Sequence, residues 1–117
     1  MTERNPRRGE IWLVNLDATI GREIRKVRPA IVVSIDALSP TGLRIIVPIT
    51  GYKDRHRKYP WCVPMEANGR SGLDKPSTAD ANQIKSASVE RFVRKLGAGT
   101  SQTLSDVTSA VGICIDL

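Results

Sequence analysis

Aromatic side chains are scarce, at 4% of 117 residues. A core of stacked rings is therefore excluded, and burial must rest on Ile, Val, Leu and Ala. Histidine occurs once, at His56, which rules out an acid–base mechanism using two imidazoles of one chain. Cysteine occurs twice, at Cys62 and Cys114, without Cys-x-x-Cys spacing or a Cys/His cluster. That pattern argues against a zinc site and reads as two buried free thiols rather than a staple. No apolar run approaches the ~20 residues of a membrane span, and residues 1–8 are too polar and basic for a signal segment. The expected location is the cytoplasm, with no membrane association. Also missing are a Gly-x-x-x-x-Gly-Lys phosphate loop, paired carboxylates at metal-ligand spacing and a serine in a nucleophile elbow. No cofactor and no metal is expected.

What is present is an excess of cations. Eighteen Lys and Arg face twelve Asp and Glu, for a net charge of +6. Such a balance favours a polyanionic partner, with nucleic acid first. The length suits one domain spanning 1–117, with 1–7 as a flexible tail. Short β-rich stretches predict strands at Ile11–Leu16, Ala30–Ile35, Leu43–Thr50, Trp61–Met65 and Phe92–Leu96, with a weaker one at Thr78–Ile84. Pro48 cannot donate to a ladder and should mark a strand end, edge or bulge. Ser39-Pro40-Thr41-Gly42 reads as a turn, and Asn68-Gly69 as a hairpin signal. A helix capped by Ser101 or Thr103 should carry Leu104, Val107 and Val111 on one face and end at Gly112. Ile113-Cys114-Ile115 could form a short last strand. The pattern predicts a mainly β fold, a small closed barrel with a C-terminal α-helix.

Two segments concentrate charge: Gly21–Arg28, between the first two strands, and Tyr52–Tyr59, after the third. Long basic loops on a compact scaffold are where function usually sits. Lys53, Arg55, His56, Arg57 and Lys58 in the second are candidate RNA contacts. His56, set among cations, reads as a solvated loop residue or a weak RNA contact rather than a base. RNA cleavage needs little from a protein, because the 2′-OH nucleophile already lies beside the scissile phosphate. A guanidinium matches phosphate oxygens and stays charged, and a strand-end hydroxyl can hold another oxygen. Arg28 and Thr50 meet those needs if their strands are neighbours, although composition alone would not select them.

A family resemblance does select them. Arg8-Gly9-Glu10-Ile11-Trp12, Gly21-Arg22-Glu23 and Val27-Arg28-Pro29-Ala30-Ile31-Val32-Val33-Ser34 together resemble the N-terminal half of the MazF/PemK toxins. Val47-Pro48-Ile49-Thr50 before a basic loop, and Ala81-Asn82-Gln83-Ile84-Lys85-Ser86, are similar to its later landmarks. The resemblance runs from about Arg8 to Leu117. It implies the toxin half of a type II toxin–antitoxin module. It further implies a metal-independent, ribosome-independent endoribonuclease that cuts single-stranded mRNA at short sequences, leaving 2′,3′-cyclic phosphate and 5′-OH ends. The implied fold is an SH3-like barrel assembled as a homodimer, and the implied partner is an acidic antitoxin. Carried over by motif, the catalytic residues fall on Arg28, Thr50 and Glu23, with Gln83 and Lys85 facing RNA. Asn82 stands where some relatives carry an acid, which removes an acidic role there.

Plainer roles stand beside these. Arg28 could pair with a carboxylate, Thr50 could be an ordinary strand residue, and Glu23 could orient Arg28 or act as general base. Trp12 reads as core. Trp61, Tyr52 and Tyr59 could stack on bases or simply pack. Two other functions share the same evidence: a toxin of the same barrel that inhibits a topoisomerase, and a nucleic-acid-binding barrel without activity.

Overall fold

A computed structural model describes residues 4–16 and 27–117. Within them lie β1 (Glu10–Asn15), β2 (Val27–Val32), β3 (Leu43–Gly51), β4 (Cys62–Met65), β5 (Ser77–Asp80), β6 (Lys85–Ser88), β7 (Phe92–Ala98) and α1 (Ser101–Cys114). Every pairing is antiparallel. The strand order is β4-β5-β3-β2-β1-β7, with β6 also on β3. The expected mainly β architecture with a C-terminal helix is what the chain forms.

β3 organises the sheet. Its first half, Leu43–Ile46, pairs with β6, and its last residues, Ile49–Gly51, pair with β5. Pro48 falls in the gap between these two pairings, where a missing N–H is best tolerated. It is neither a strand end nor an edge residue, since it also stands opposite Ala30 of β2.

Alternation along the strands feeds two cores. Ile31, Val47 and Ile49 enter one, which Val107 and Ala110 of α1 complete. Their neighbours Ala30, Val32 and Ile46 enter the other, with Val14, Trp12 and Phe92. Trp12 is core, as expected, and meets Phe92 edge-on at 5.7 Å between centroids.

Several elements differ from the sequence expectation. β2 begins at Val27 and ends at Val32, because its register with β1 runs from Val27 opposite Asn15 to Ile31 opposite Ile11. The proposed Thr78–Ile84 strand breaks after Asp80 into a 3₁₀ turn, Ala81–Gln83. β6 follows, overlapping the Ala81–Ser86 landmark of the family resemblance at Lys85 and Ser86 and extending beyond it. Asn68-Gly69 does not close a two-residue hairpin. The Asn68 side chain takes the backbone instead, accepting the N–H groups of Arg70 (3.0 Å) and Ser71 (2.8 Å). The Ser39–Gly42 turn is the end of a 3₁₀ segment, Asp36–Thr41, closed by Gly42 at φ 73°.

Helix α1 is capped by Thr100, whose Oγ1 accepts the Thr103 N–H at 3.0 Å. It passes through Gly112 and ends later, so Ile113–Ile115 is not a strand. Asp116 adopts the left-handed conformation, φ 58°. Leu117 N–H then reaches the Gly112 carbonyl at 2.8 Å and Asp116 N–H the Ile113 carbonyl at 3.3 Å. This is a Schellman ending in which Asp supplies the residue that glycine more often provides. Both cysteines are free, but Cys114 is exposed and Cys62 only half-buried, which corrects the expectation of two buried thiols.

Candidate functional site

Arg28 is the second residue of β2 and Thr50 lies near the end of β3. The β2–β3 register sets Ala30 opposite Pro48. The ladder ends at that pair, with Arg28 two residues before Ala30 and Thr50 two residues after Pro48. Because strand side chains alternate, both stand on the face that carries Ala30 and Ile46 into the second core. They occupy the edge where that apolar face meets solvent. Among the described residues Arg28 forms no ion pair, so its guanidinium is not committed to a structural carboxylate there. Glu23, the expected third member, lies outside the described residues.

Arg28 and Thr50 line a cavity of about 440 Å³ together with Lys53, Arg55, His56, Gln83 and Lys85. Seven residues singled out from the sequence are thus brought into one concavity. Arg57 and Lys58 are not among its walls; both are exposed. Arg55, His56, Arg57 and Lys58 belong to the 3₁₀ turn Asp54–Lys58, with Lys53 as its N-cap, and Arg57 lines a separate cavity with Tyr52 and Met65.

His56 is not the solvated residue its neighbours suggested. It is 9% exposed. Its Nδ1 accepts the Lys53 N–H at 3.0 Å and lies 3.0 Å from Thr78 Oγ1. Accepting a backbone N–H assigns the ring proton to Nε2 in this arrangement. His56 therefore pins the basic turn to β5 and presents its edge to the cavity. Tyr52 packs edge-on against it at 6.1 Å. Tyr59 and Trp61 stack on each other at 5.0 Å, and Trp61 also packs on the first core, so packing occupies both rings.

Asp80 is the wall residue that sequence reading missed. Its Oδ1 accepts the Asn82 N–H at 3.1 Å and its Oδ2 accepts from Gln83 Nε2 at 3.3 Å. It caps the 3₁₀ turn and orients Gln83 toward the cavity. The signal was an Asx-type cap preceding Gln83, hidden because the strand was expected to run on. Asp80 also stands opposite Cys62. Burial, then the Asp80 charge, then Cys114 raise the Cys62 thiol above the ordinary cysteine range, which keeps it protonated and unreactive. Four cations and one carboxylate around a half-open concavity suit a phosphate-bearing ligand. Among the described residues no cluster of His, Cys, Asp and Glu has an arrangement that could hold a metal ion. Nor is any described helix long and apolar enough to cross a membrane.

Comparison with known proteins gives the site its context. The model of the PemK-like, MazF-like toxin of type II toxin–antitoxin systems matches residues 7–115. The chain is 36% identical over 117 residues to "Endoribonuclease MazF9" of Mycobacterium tuberculosis, covering 95% of this chain and 97% of that one. Its fold is similar to crystalline MazF from Deinococcus radiodurans, with a TM-score of 0.78, 24% identity and coverage of 98% and 100%. It is also similar to a mycobacterial endoribonuclease solved with its cognate antitoxin, with a TM-score of 0.77, 21% identity and 96% of each chain covered. A family match over nearly the whole length, and strands that carry the motif residues to one cavity, lead to a single assignment: this chain belongs to the PemK-like, MazF-like toxins of type II toxin–antitoxin systems, the family of the MazF endoribonucleases.

Proposed function

We propose that the protein is a toxin endoribonuclease that cleaves single-stranded mRNA in the cytoplasm at short sequences, without a metal. The observation that carries this reading is the shared edge of Arg28 and Thr50, open to a cavity walled by cations. The 2′-oxygen forms a bond to phosphorus as the bond to the 5′-oxygen breaks. The 2′-OH proton passes to Glu23 or a neighbouring base, and the leaving 5′-oxygen takes a proton from Arg28, directly or through water. Arg28 offsets the charge that grows on the phosphoryl oxygens, and Thr50 Oγ1 donates to one of them. A 2′,3′-cyclic phosphate and a 5′-OH result. Lys53, Arg55, Lys85 and Gln83 hold adjoining nucleotides, and His56 keeps the basic turn in place.

The active form is a homodimer of closed SH3-like barrels. Exposed Ile113, Ile115 and Leu117 at the end of α1 offer an apolar surface for a second copy. The inhibiting partner is an acidic antitoxin whose carboxylates compete with RNA for the same cations.

The test is Arg28→Ala, assayed on a long RNA in the presence of a chelator with mapping of the ends. Loss of one preorganised charge-stabilising donor should lower the rate by about 100-fold or more, with the circular dichroism spectrum unchanged. Wild-type rate in this variant would overturn the mechanism. RNA bound but uncut by the wild type would instead mark a binding barrel.

A further inference from the structure

The Arg28–Thr50 edge has a second side. A separate cavity of about 410 Å³ is also lined by Arg28 and Thr50, and beyond them by Gly51, Asp74, Lys75 and Arg94. The two residues therefore form a ridge between two concavities. On the far side three cations, Arg28, Lys75 and Arg94, face one carboxylate, Asp74. Among the described residues neither Lys75 nor Arg94 forms an ion pair.

Lys75 is delivered there by construction. It sits in the loop from β4 to β5, which is fastened to β7. Ala98 N–H donates to the Arg70 carbonyl at 2.9 Å. Gly72, at φ 74°, lies so close to β7 that a Cβ would stand 2.0 Å from the Leu96 carbonyl oxygen. After this anchor the chain joins β5, with Ser77 opposite Gly51 and Tyr52 N–H on the Pro76 carbonyl at 3.1 Å. The Lys75 side chain then lies across Gly51. Both Cε and Nζ would be 3.3 Å from a Cβ at that position. Lys75 is exposed, so its ammonium is open to a ligand, and it lies beside the residue next to Thr50.

A strand with a phosphate on the ridge must enter from one side and leave by the other. We propose that the second cavity takes the RNA strand on the far side of the scissile phosphate, with Lys75 holding the adjoining phosphate and Arg94 supporting it. The inference rests on the endoribonuclease reading for the position of the scissile group, while its test is independent of cleavage.

The experiment measures binding of a short, fluorescent single-stranded 2′-O-methyl RNA, which has no free nucleophile, across a salt series. Lys75→Met should weaken binding about three- to tenfold at low salt. It should also make the slope of log K against log salt shallower by about 0.7, the value for one phosphate contact on a single strand. Lys75→Arg should retain most of the affinity. Gly51→Ala leaves the charge intact and asks the exposed ammonium to shift by only a small amount, so it should bind within about twofold of the wild type. Unchanged affinity and slope in Lys75→Met, with Arg28→Met lowering both, would overturn the proposal. So would a Lys75→Met protein that binds RNA normally and loses affinity only for an acidic peptide. If the wild type cuts no RNA while the Lys75 effects appear, the nuclease reading fails and this binding site stands.

Discussion

Glu10 holds three partners at the start of β1. Its Oε1 accepts from Arg7 N–H and Trp12 Nε1, both at 2.9 Å, and Oε2 lies 3.1 Å from Lys95 Nζ. Burial alone would raise its pKa, but the bonds from Trp12, Arg7 and Lys95 outweigh it and hold the carboxyl below the ordinary 4.5. A carboxylate with a lowered folded pKa stabilises the fold above its unfolded value, and that contribution disappears as pH falls through the folded value. Glu10→Gln should therefore cost about 1 kcal/mol near pH 7. Its deficit should shrink as pH drops below 4.5, measured by urea unfolding at a series of pH values. A deficit that stays constant with pH would show that the charge of Glu10 is not what matters. That Arg28 and Thr50 share a cavity was legible at this scale because motif and strand position coincide. His56 was not, because its sequence neighbours are cations and the bond to Lys53 N–H exists only once the 3₁₀ turn forms.

Elements succeeded or failed according to whether local pattern or pairing decides them. β3 announces itself by composition. β6 does not: within Lys85–Ser88 only Ala87 is buried, and the segment is a strand because Leu43–Ile46 pairs with it. The β4–β5 connection shows the same dependence. Asn68-Gly69 carries a hairpin signal, yet the loop is shaped by its contact with β7. Gly72→Ala places a Cβ against the Leu96 carbonyl and imposes a left-handed backbone on alanine. It should destabilise by about 2 kcal/mol or more, read as a lower urea midpoint. It should also weaken RNA binding through displacement of Lys75. Wild-type stability would mean that the loop is free to move off β7.

At the scale of the whole molecule, the net charge of +6 becomes a directed field only through folding. Arg28, Lys53, Arg55 and Lys85 come from three separate stretches of chain and meet in one cavity. If each neutralises one phosphate, RNA affinity should fall about 50-fold between 50 and 200 mM salt, from a single-strand slope of ~0.7 per contact. An affinity independent of salt would remove these cations from the interface.

Short β-branched stretches and the Leu104, Val107 and Val111 period determined a β-rich fold and a C-terminal helix, because side-chain period and backbone restriction are local properties of the chain. Arg28 and Thr50 were singled out by the family resemblance of their motifs, not by composition. The tertiary structure alone decided that Asp80 orients Gln83, that His56 is buried under the basic turn, and that Lys75 lies across Gly51. Each of these depends on which strands are neighbours and on how closely two backbones approach, and neither is encoded in the spacing of residues along one segment.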